Sequence, residues 1–233
     1  CRVILMCHPP LVDLMKGCFG ISEVIGRTNL GDQGINYDYY FPLLSLGMFF
    51  EQTLENIKID VPYILVDHDL KMKWAKEISN SDKLKVGIVW KGKQTPGNTH
   101  RSCDLKDFST IFSNKVDFYS LQYDLHDEEQ LQVLNKFKIY NIASKISTFN
   151  DTAAIISNLD LVISIDTSVA HLSCALGKQT WILLSSKCDW RWHDFRSDSP
   201  WYPTATLFRQ KEFNKWNSVL TEVDKKLKEI TNN

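Results

Sequence analysis

The chain has 233 residues, 43% of them apolar and 24% charged, with a formal net charge of −1. This is the composition of a folded chain rather than a disordered one, and the even charge balance speaks against a nucleic-acid binder, which carries a basic excess. No apolar run reaches the roughly eighteen residues of a membrane-spanning helix, and no signal-peptide pattern opens the sequence.

In chain order, short runs rich in Val and Ile predict buried strands at 3–6, 63–66, 85–90, 117–121, 161–165 and 180–184. Between them, helical spacing predicts helices at 11–19, 69–78, 105–112, 127–137, 152–158, 168–176 and 213–230. Strand–helix alternation of this kind indicates an α/β fold with parallel sheets. The unbroken apolar run Leu161-Val162-Ile163 fits a strand covered on both faces.

The polar, turn-like stretch Ser79-Asn80-Ser81-Asp82 marks a seam. It divides the chain into 1–80, too short for a complete doubly wound domain, and 81–233, long enough for one. The last helix is expected to cross back onto the first part. Because the sequence opens at Cys1 inside a strand pattern, it reads as a piece of a longer protein. The six cysteines, Cys1, Cys7, Cys18, Cys103, Cys174 and Cys188, show no zinc spacing. They read as reduced thiols of a cytoplasmic protein.

The strongest site signal is Asp166-Thr167-Ser168-Val169-Ala170-His171, where a buried strand ends in a small polar turn and a helix begins. Open α/β sheets bind ligands beyond the carboxyl ends of their strands. A helix start there offers free N–H groups and a positive dipole end, which suit a diphosphate. Thr167 and Ser168 add hydroxyls, and His171, one turn in, is a candidate donor to a phosphate or leaving group. The same turn also reads as an ordinary N-cap with a structural histidine.

In the long loop after the strand at 85–90, Lys91, Lys93 and Arg101 can balance phosphate charge, and Gly92 and Gly97 permit close backbone approach. Ser102 ends that loop. The alternative is a solvated surface loop. At the next strand end, Gln122 is a candidate for a ribose or base contact and Tyr123 for stacking, against a plain polar turn. In the aromatic run Asp189-Trp190-Arg191-Trp192, with Trp201 and Tyr202 close behind, the tryptophans offer a sugar or base platform. A small core closing the loop is the competing reading, while Asp189 and Arg191 are the better functional candidates. His8, His68 and His126 receive no role.

Taken together, Pro42-Leu43-Leu44-Ser45-Leu46, Val61-Pro62-Tyr63, Gly87-Ile88-Val89-Trp90-Lys91-Gly92, Arg101-Ser102, Ser120-Leu121-Gln122, Asp151-Thr152-Ala153-Ala154, the stretch 159–175, Asp189-Trp190-Arg191-Trp192, Ser199-Pro200-Trp201-Tyr202-Pro203 and Leu207-Phe208-Arg209-Gln210 carry a resemblance. The chain resembles the C-terminal glycosyltransferase-like region of many bacterial tetratricopeptide-repeat proteins, which is similar to glycosyltransferase family 9 (heptosyltransferase). The resemblance implies a GT-B fold of two Rossmann-like domains, the first incomplete here. It implies a nucleotide-diphosphate-sugar donor held mostly by the second domain, no metal and no separate cofactor. The acceptor would be an unidentified glycan, lipid or protein, and tetratricopeptide repeats are expected upstream.

In that likeness Asp166, Thr167, Ser168 and His171 contact the donor and Arg101 binds phosphate. The family's Gly-Asp turn, beside which the acceptor's base is expected, has no counterpart in the right place. Gly31-Asp32 follows the wrong strand, so the base is expected upstream of the chain. Two other readings stand beside transfer: a nucleotide-sugar or protein-docking module without turnover, and a sugar-nucleotide epimerase, which would need cleft carboxylates such as Asp166 and Asp189.

Overall fold

The computed structural model describes residues 1–27, 35–57, 59–93, 99–123, 125 and 127–232. Its centre is a five-stranded parallel sheet: β3 (Leu84–Val89), β4 (Val116–Ser120), β5 (Leu161–Ile165), β6 (Gln179–Leu184) and β7 (Ala205–Arg209). The strands lie in the order β4-β3-β5-β6-β7 and every neighbouring pair is parallel. The chain therefore steps outward from β3 to β4 and returns past β3 to β5, and the direction of winding reverses between β3 and β5.

Alternation along the strands sorts side chains onto two faces. Val86, Ile88 and Trp90 of β3 and its end, with Leu161, Ile163 and Ile165 of β5, face one layer. That layer is covered by α4 (Glu128–Lys136) and α7 (Asn217–Thr231), through Leu134, Val219, Leu220, Val223 and Leu227. All four buried side chains of α7 thus pack on the large sheet rather than on the first eighty residues. Val89 and Val162 face the other layer, formed by α5 (Phe149–Ser157) and α6 (Ser168–Ala175). Gly87 has a steric reason: a Cβ there would stand 2.7 Å from Leu121 Cδ1 and 2.8 Å from Leu159 Cδ1.

The first eighty residues form a smaller unit. β1 (Ile4–Cys7) and β2 (Glu23–Gly26) pair in parallel around a short 3-10 turn and α1 (Val12–Met15). A one-turn helix α2 (Leu46–Phe49) buries nothing, and α3 (His68–Ala75) packs on α5. That packing follows from composition: Ala153, Ala154, Ile155 and Ile156 are fully buried, so α5 is apolar all round and needs cover on its outer side as well as from the sheet. Leu14, Ile64, Trp74 and Ile78 supply it.

Two expectations are corrected, and two strands are added. The run 63–66 is not a strand: Tyr63 N–H donates to the Ala175 carbonyl at the end of α6 (3.1 Å), and only Ile64 bridges, to Cys18. The run 105–112 is not an α-helix but 3-10 turns around Asp107–Thr110. Its buried residues Leu105, Phe108 and Ile111 recur every third position, the 3-10 period. Two strands are not among those predicted: β2, of four residues, and β7, which is as long as β4 and β5.

Candidate functional site

The reversal of winding between β3 and β5 leaves a crevice beyond their carboxyl ends, where doubly wound sheets of this strand order bind ligands. The register puts Val89 opposite Ser164, so the loop leaving Trp90 and the turn leaving Ile165 emerge side by side. Two of the segments singled out from the sequence are thereby brought to one place.

On the β5 side, Thr167 is the N-cap of α6, in extended conformation, and its hydroxyl accepts from Ala170 N–H (3.4 Å). Ser164, buried in β5, is 2.9 Å from the same hydroxyl and donates to its neighbour's carbonyl at Ile165. Both the N-cap reading and the ligand reading of this turn are thus compatible. The cap employs the Thr167 side chain, while the N–H groups of Ser168 and Val169, in the first helical turn, have no carbonyl within the helix to receive them. At the other end, Gly177 adopts φ +71° and closes α6 with a Schellman pair, Gly177 N–H to Cys174 O and Lys178 N–H to Ser173 O.

His171 sits one turn into α6. Its Nε2 lies 3.6 Å from Asp166 Oδ1, its Nδ1 lies 2.9 Å from the Tyr202 hydroxyl, and its ring stacks on Trp192 with centroids 5.1 Å apart. Burial works to raise the Asp166 carboxyl pKa, but His171, the Trp192 indole dipole and the Arg101 charge outweigh it and hold the group below the usual carboxylate value. Asp166 is therefore a carboxylate at neutral pH. Trp192 Nε1 is buried without a partner in hydrogen-bonding position, so its contribution is a dipole and not a formed bond.

On the β3 side, the loop is pinched at its base by Cys103 N–H to Trp90 O (2.9 Å). Arg101 lies against Gly92: a Cβ at Gly92 would come within 2.9 Å of the guanidinium Nε. Glycine here serves close packing of the cation. Arg101 Nη2 donates to the Lys93 carbonyl (3.3 Å), but Nε is buried with no partner among the described residues. Ser102 Oγ accepts from Gly92 N–H (3.2 Å), and its carbonyl accepts from Trp216 Nε1 (3.2 Å). Lys91 and Lys93 point to solvent. Gly97 and Gly31-Asp32 lie outside the described residues, as does His126.

The remaining candidates are placed as supports or at the rim. Gln122 is buried, and its Oε1 accepts from Lys91 N–H (2.9 Å), which ties the end of β3 to that of β4. Tyr123 is exposed. Asp189 and Arg191 pair with each other at 2.7 Å, with the guanidinium over the Trp190 ring. Trp201 Nε1 holds the Arg191 carbonyl (3.0 Å), so the aromatic run is closed on itself as a small core while Trp190 stays exposed.

Sequence reasoning gives Arg209 no site role, although Leu207-Phe208-Arg209-Gln210 is one of the stretches that carry the resemblance. Arg209 ends β7 and gathers the loop, donating to the Trp192 and Arg196 carbonyls and to Cys188 Sγ. A lone arginine at a strand end carries no spacing signal that would reveal these contacts. A cavity of about 350 Å³ lies away from the crevice. It lies between α1 and the start of α5, lined by Asp13, Lys16, Leu65, Asp67 and Asn150 among others.

Comparison with known proteins bears on the fold and on part of the chain. Residues 118–224 match the model for glycosyltransferase family 9 (heptosyltransferase). The match takes in β4 to α7 and so includes the α6 turn and the aromatic loop, a little under half of the chain. The structure of E. coli ADP-heptose lps heptosyltransferase II is similar with a TM-score of 0.52 at 13% identity, over 75% of this chain and 55% of that one. The glycosyl transferase family 9 structure from Veillonella parvula DSM 2008 aligns with a TM-score of 0.49 at 11% identity, over 69% of this chain and 46% of that one. At such identity the likeness is one of fold. The chain spans about half the length of these solved structures. No curated protein matches significantly in sequence. Among the described residues no helix is long and apolar enough to cross a membrane.

Proposed function

We propose that this chain carries the donor-binding side of a glycosyltransferase, which moves a sugar from a nucleotide-diphosphate-sugar to an acceptor hydroxyl. The observation that carries the reading is the Arg101 guanidinium, whose buried Nε has no partner among the described residues, beside the open start of α6 at the switch point. Buried donors without acceptors are costly and rare. A diphosphate supplies the missing acceptor and the negative charge that Arg101 and the helix dipole favour. The family match over 118–224 supports the same reading.

In the transfer, the bond from the sugar's anomeric carbon to the diphosphate oxygen breaks as the bond to the acceptor oxygen forms. Negative charge grows on the departing diphosphate. Arg101 and the Ser168 and Val169 N–H groups stabilise that charge where it develops. Asp166 does not touch the phosphates in this reading; its carboxylate holds His171 and Arg101 in place. Lys91 and Arg191 stand at the rim as further cations, and Asp189 orients Arg191. The acceptor's base is placed outside this chain, on a preceding part of the parent protein. The division at 80/81 into an acceptor-side and a donor-side unit, the tetratricopeptide-repeat parent, and a reaction without metal ion or organic cofactor belong to the same proposal.

The test is a melting-temperature panel with ADP, UDP, GDP and CDP, in the presence and absence of a chelator. Binding to the native state raises the melting point by mass action. One or more of the four should raise it with chelator present, and Arg101→Ala should abolish the rise. No shift with any of them would remove the donor site.

A further inference from the structure

Both ring nitrogens of His171 are engaged, and the two partners differ in kind. Nε2 faces the Asp166 carboxylate at 3.6 Å, and Nδ1 faces the Tyr202 hydroxyl at 2.9 Å. The 3.6 Å distance is too long for a formed hydrogen bond, but a carboxylate only accepts, so its charge favours the tautomer with the hydrogen on Nε2. In a neutral imidazole Nδ1 is then the acceptor, and the donor standing there is the Tyr202 hydroxyl. Tyr202 is suited to that role: burial, followed by the neighbouring Tyr63, keeps its phenol protonated far above neutral pH. The face of the ring is fixed separately by Trp192.

We propose that Tyr202 is a positioning residue for the site: it donates to His171 Nδ1, holds the imidazole in its Nε2–H form, and thereby keeps an N–H aimed at the mouth between Asp166 and an incoming phosphate. The proposal rests on the donor-site reading and deepens it. Other charged or titratable neighbours surround this line of groups. Arg101 acts on Asp166, Arg191 on Tyr202, and Cys174 lies beside Tyr202 and Tyr63.

The line continues into the first eighty residues. Tyr63 stands beside Tyr202, and its main-chain N–H is held by the Ala175 carbonyl at the end of α6 (3.1 Å). The docked segment at 61–64 thus buttresses the residue that sets the tautomer. Gly177 packs beside Pro62, and its φ of +71° rather than lack of room is what calls for glycine there.

The experiment is a long-range ¹H–¹⁵N spectrum of the full chain labelled at histidine, with the His171 signals assigned from a His171→Gln variant. At a pH high enough to keep the imidazole neutral, the wild type should show a bare Nδ1 and a protonated Nε2. Tyr202→Phe should lose that pattern, with Nδ1 moving toward the protonated or mixed position. A protonated Nδ1 in the wild type overturns the proposal, and so does an unchanged pattern in Tyr202→Phe. A purely structural tyrosine would lower the melting point and leave the tautomer alone.

If Tyr202→Phe does not fold, the wild-type spectrum decides by itself. As a second arm, Tyr202→Phe should weaken binding of the best nucleoside diphosphate about fivefold, the scale of one lost hydrogen bond. Absence of any nucleotide binding by the wild type, with the tautomer as described, would end the donor reading and leave the Tyr202–His171 assignment standing.

Discussion

Every residue of β4 and β5 is buried, whereas between Tyr37 and Phe50 large apolar side chains lie in the open: Tyr39 is 83% exposed, Leu44 81% and Met48 80%. The two stretches are similarly apolar in sequence. What separates them is cover. The strands of the large sheet have a helical layer on each face, so each apolar residue finds neighbours whichever way it points. Among the described residues, the aromatic contacts of the segment at 37–50 fall within the segment itself, as in the edge contact of Phe41 with Phe49. Hydrophobicity reports what a residue needs, and topology decides whether the need is met.

The contrast is broken or sharpened first by truncation in the sheet. Ile163 is fully buried in the central strand, facing the layer under α7. Ile163→Ala should cost about 3 to 4 kcal/mol of unfolding free energy, the loss of transfer energy plus a cavity that packed neighbours cannot fill. Urea denaturation reads it as a lower midpoint with an unchanged slope. A cost under about 1 kcal/mol would mean that the sheet is not the stabilising core.

The second prediction addresses the joint between the regions. Asp151 accepts from Trp74 Nε1 (2.9 Å), from the Thr148 N–H and hydroxyl (2.9 Å each) and from Ser147 N–H (3.2 Å). It therefore closes the capping box of α5 and receives the first eighty residues in one carboxylate. Burial works to raise its pKa, but the bonds from Trp74, Thr148 and Ser147 outweigh it and leave the folded value below the ordinary one.

The sign follows. A depressed folded pKa stabilises the protein above the unfolded pKa, and that stability disappears as pH falls through the folded value. Asp151→Asn should cost about 2 kcal/mol at neutral pH, the scale of hydrogen bonds to a charged group. It should also flatten the decline in stability on acidification below about pH 4. Equal acid sensitivity in variant and wild type would move that role to another carboxylate.

Much of the large sheet was legible because its strands are long apolar runs separated by amphipathic stretches. The turn at Asp166–Ser168 was legible as a turn into a helix because strand end, small polar residues and helix start are contiguous. What stayed hidden depends on contacts across the chain. Leu105, Phe108 and Ile111 satisfy a helical pattern loosely and a 3-10 pattern well, and only burial separates the two. Tyr63 looks like a strand residue until its N–H is found on Ala175. Gln122 looks like a ligand contact until its oxygen is found on Lys91. Tyr202 meets His171 across 31 positions, and no local pattern encodes that meeting.

The smallest effect is expected where apolar content misleads most. Leu44 and Met48 lie in the turn and one-turn helix that bury nothing. Their side chains are mostly in water already, so folding removes little apolar surface from solvent at either position. The double substitution Leu44→Ser, Met48→Ser should change unfolding free energy by no more than about 0.5 kcal/mol, as for other exposed sites. The same denaturation experiment reads it against Ile163→Ala. A loss above about 1.5 kcal/mol would show that the segment is covered in solution by something that unfolding removes, and the contrast between the two stretches would then be one of partner rather than of topology.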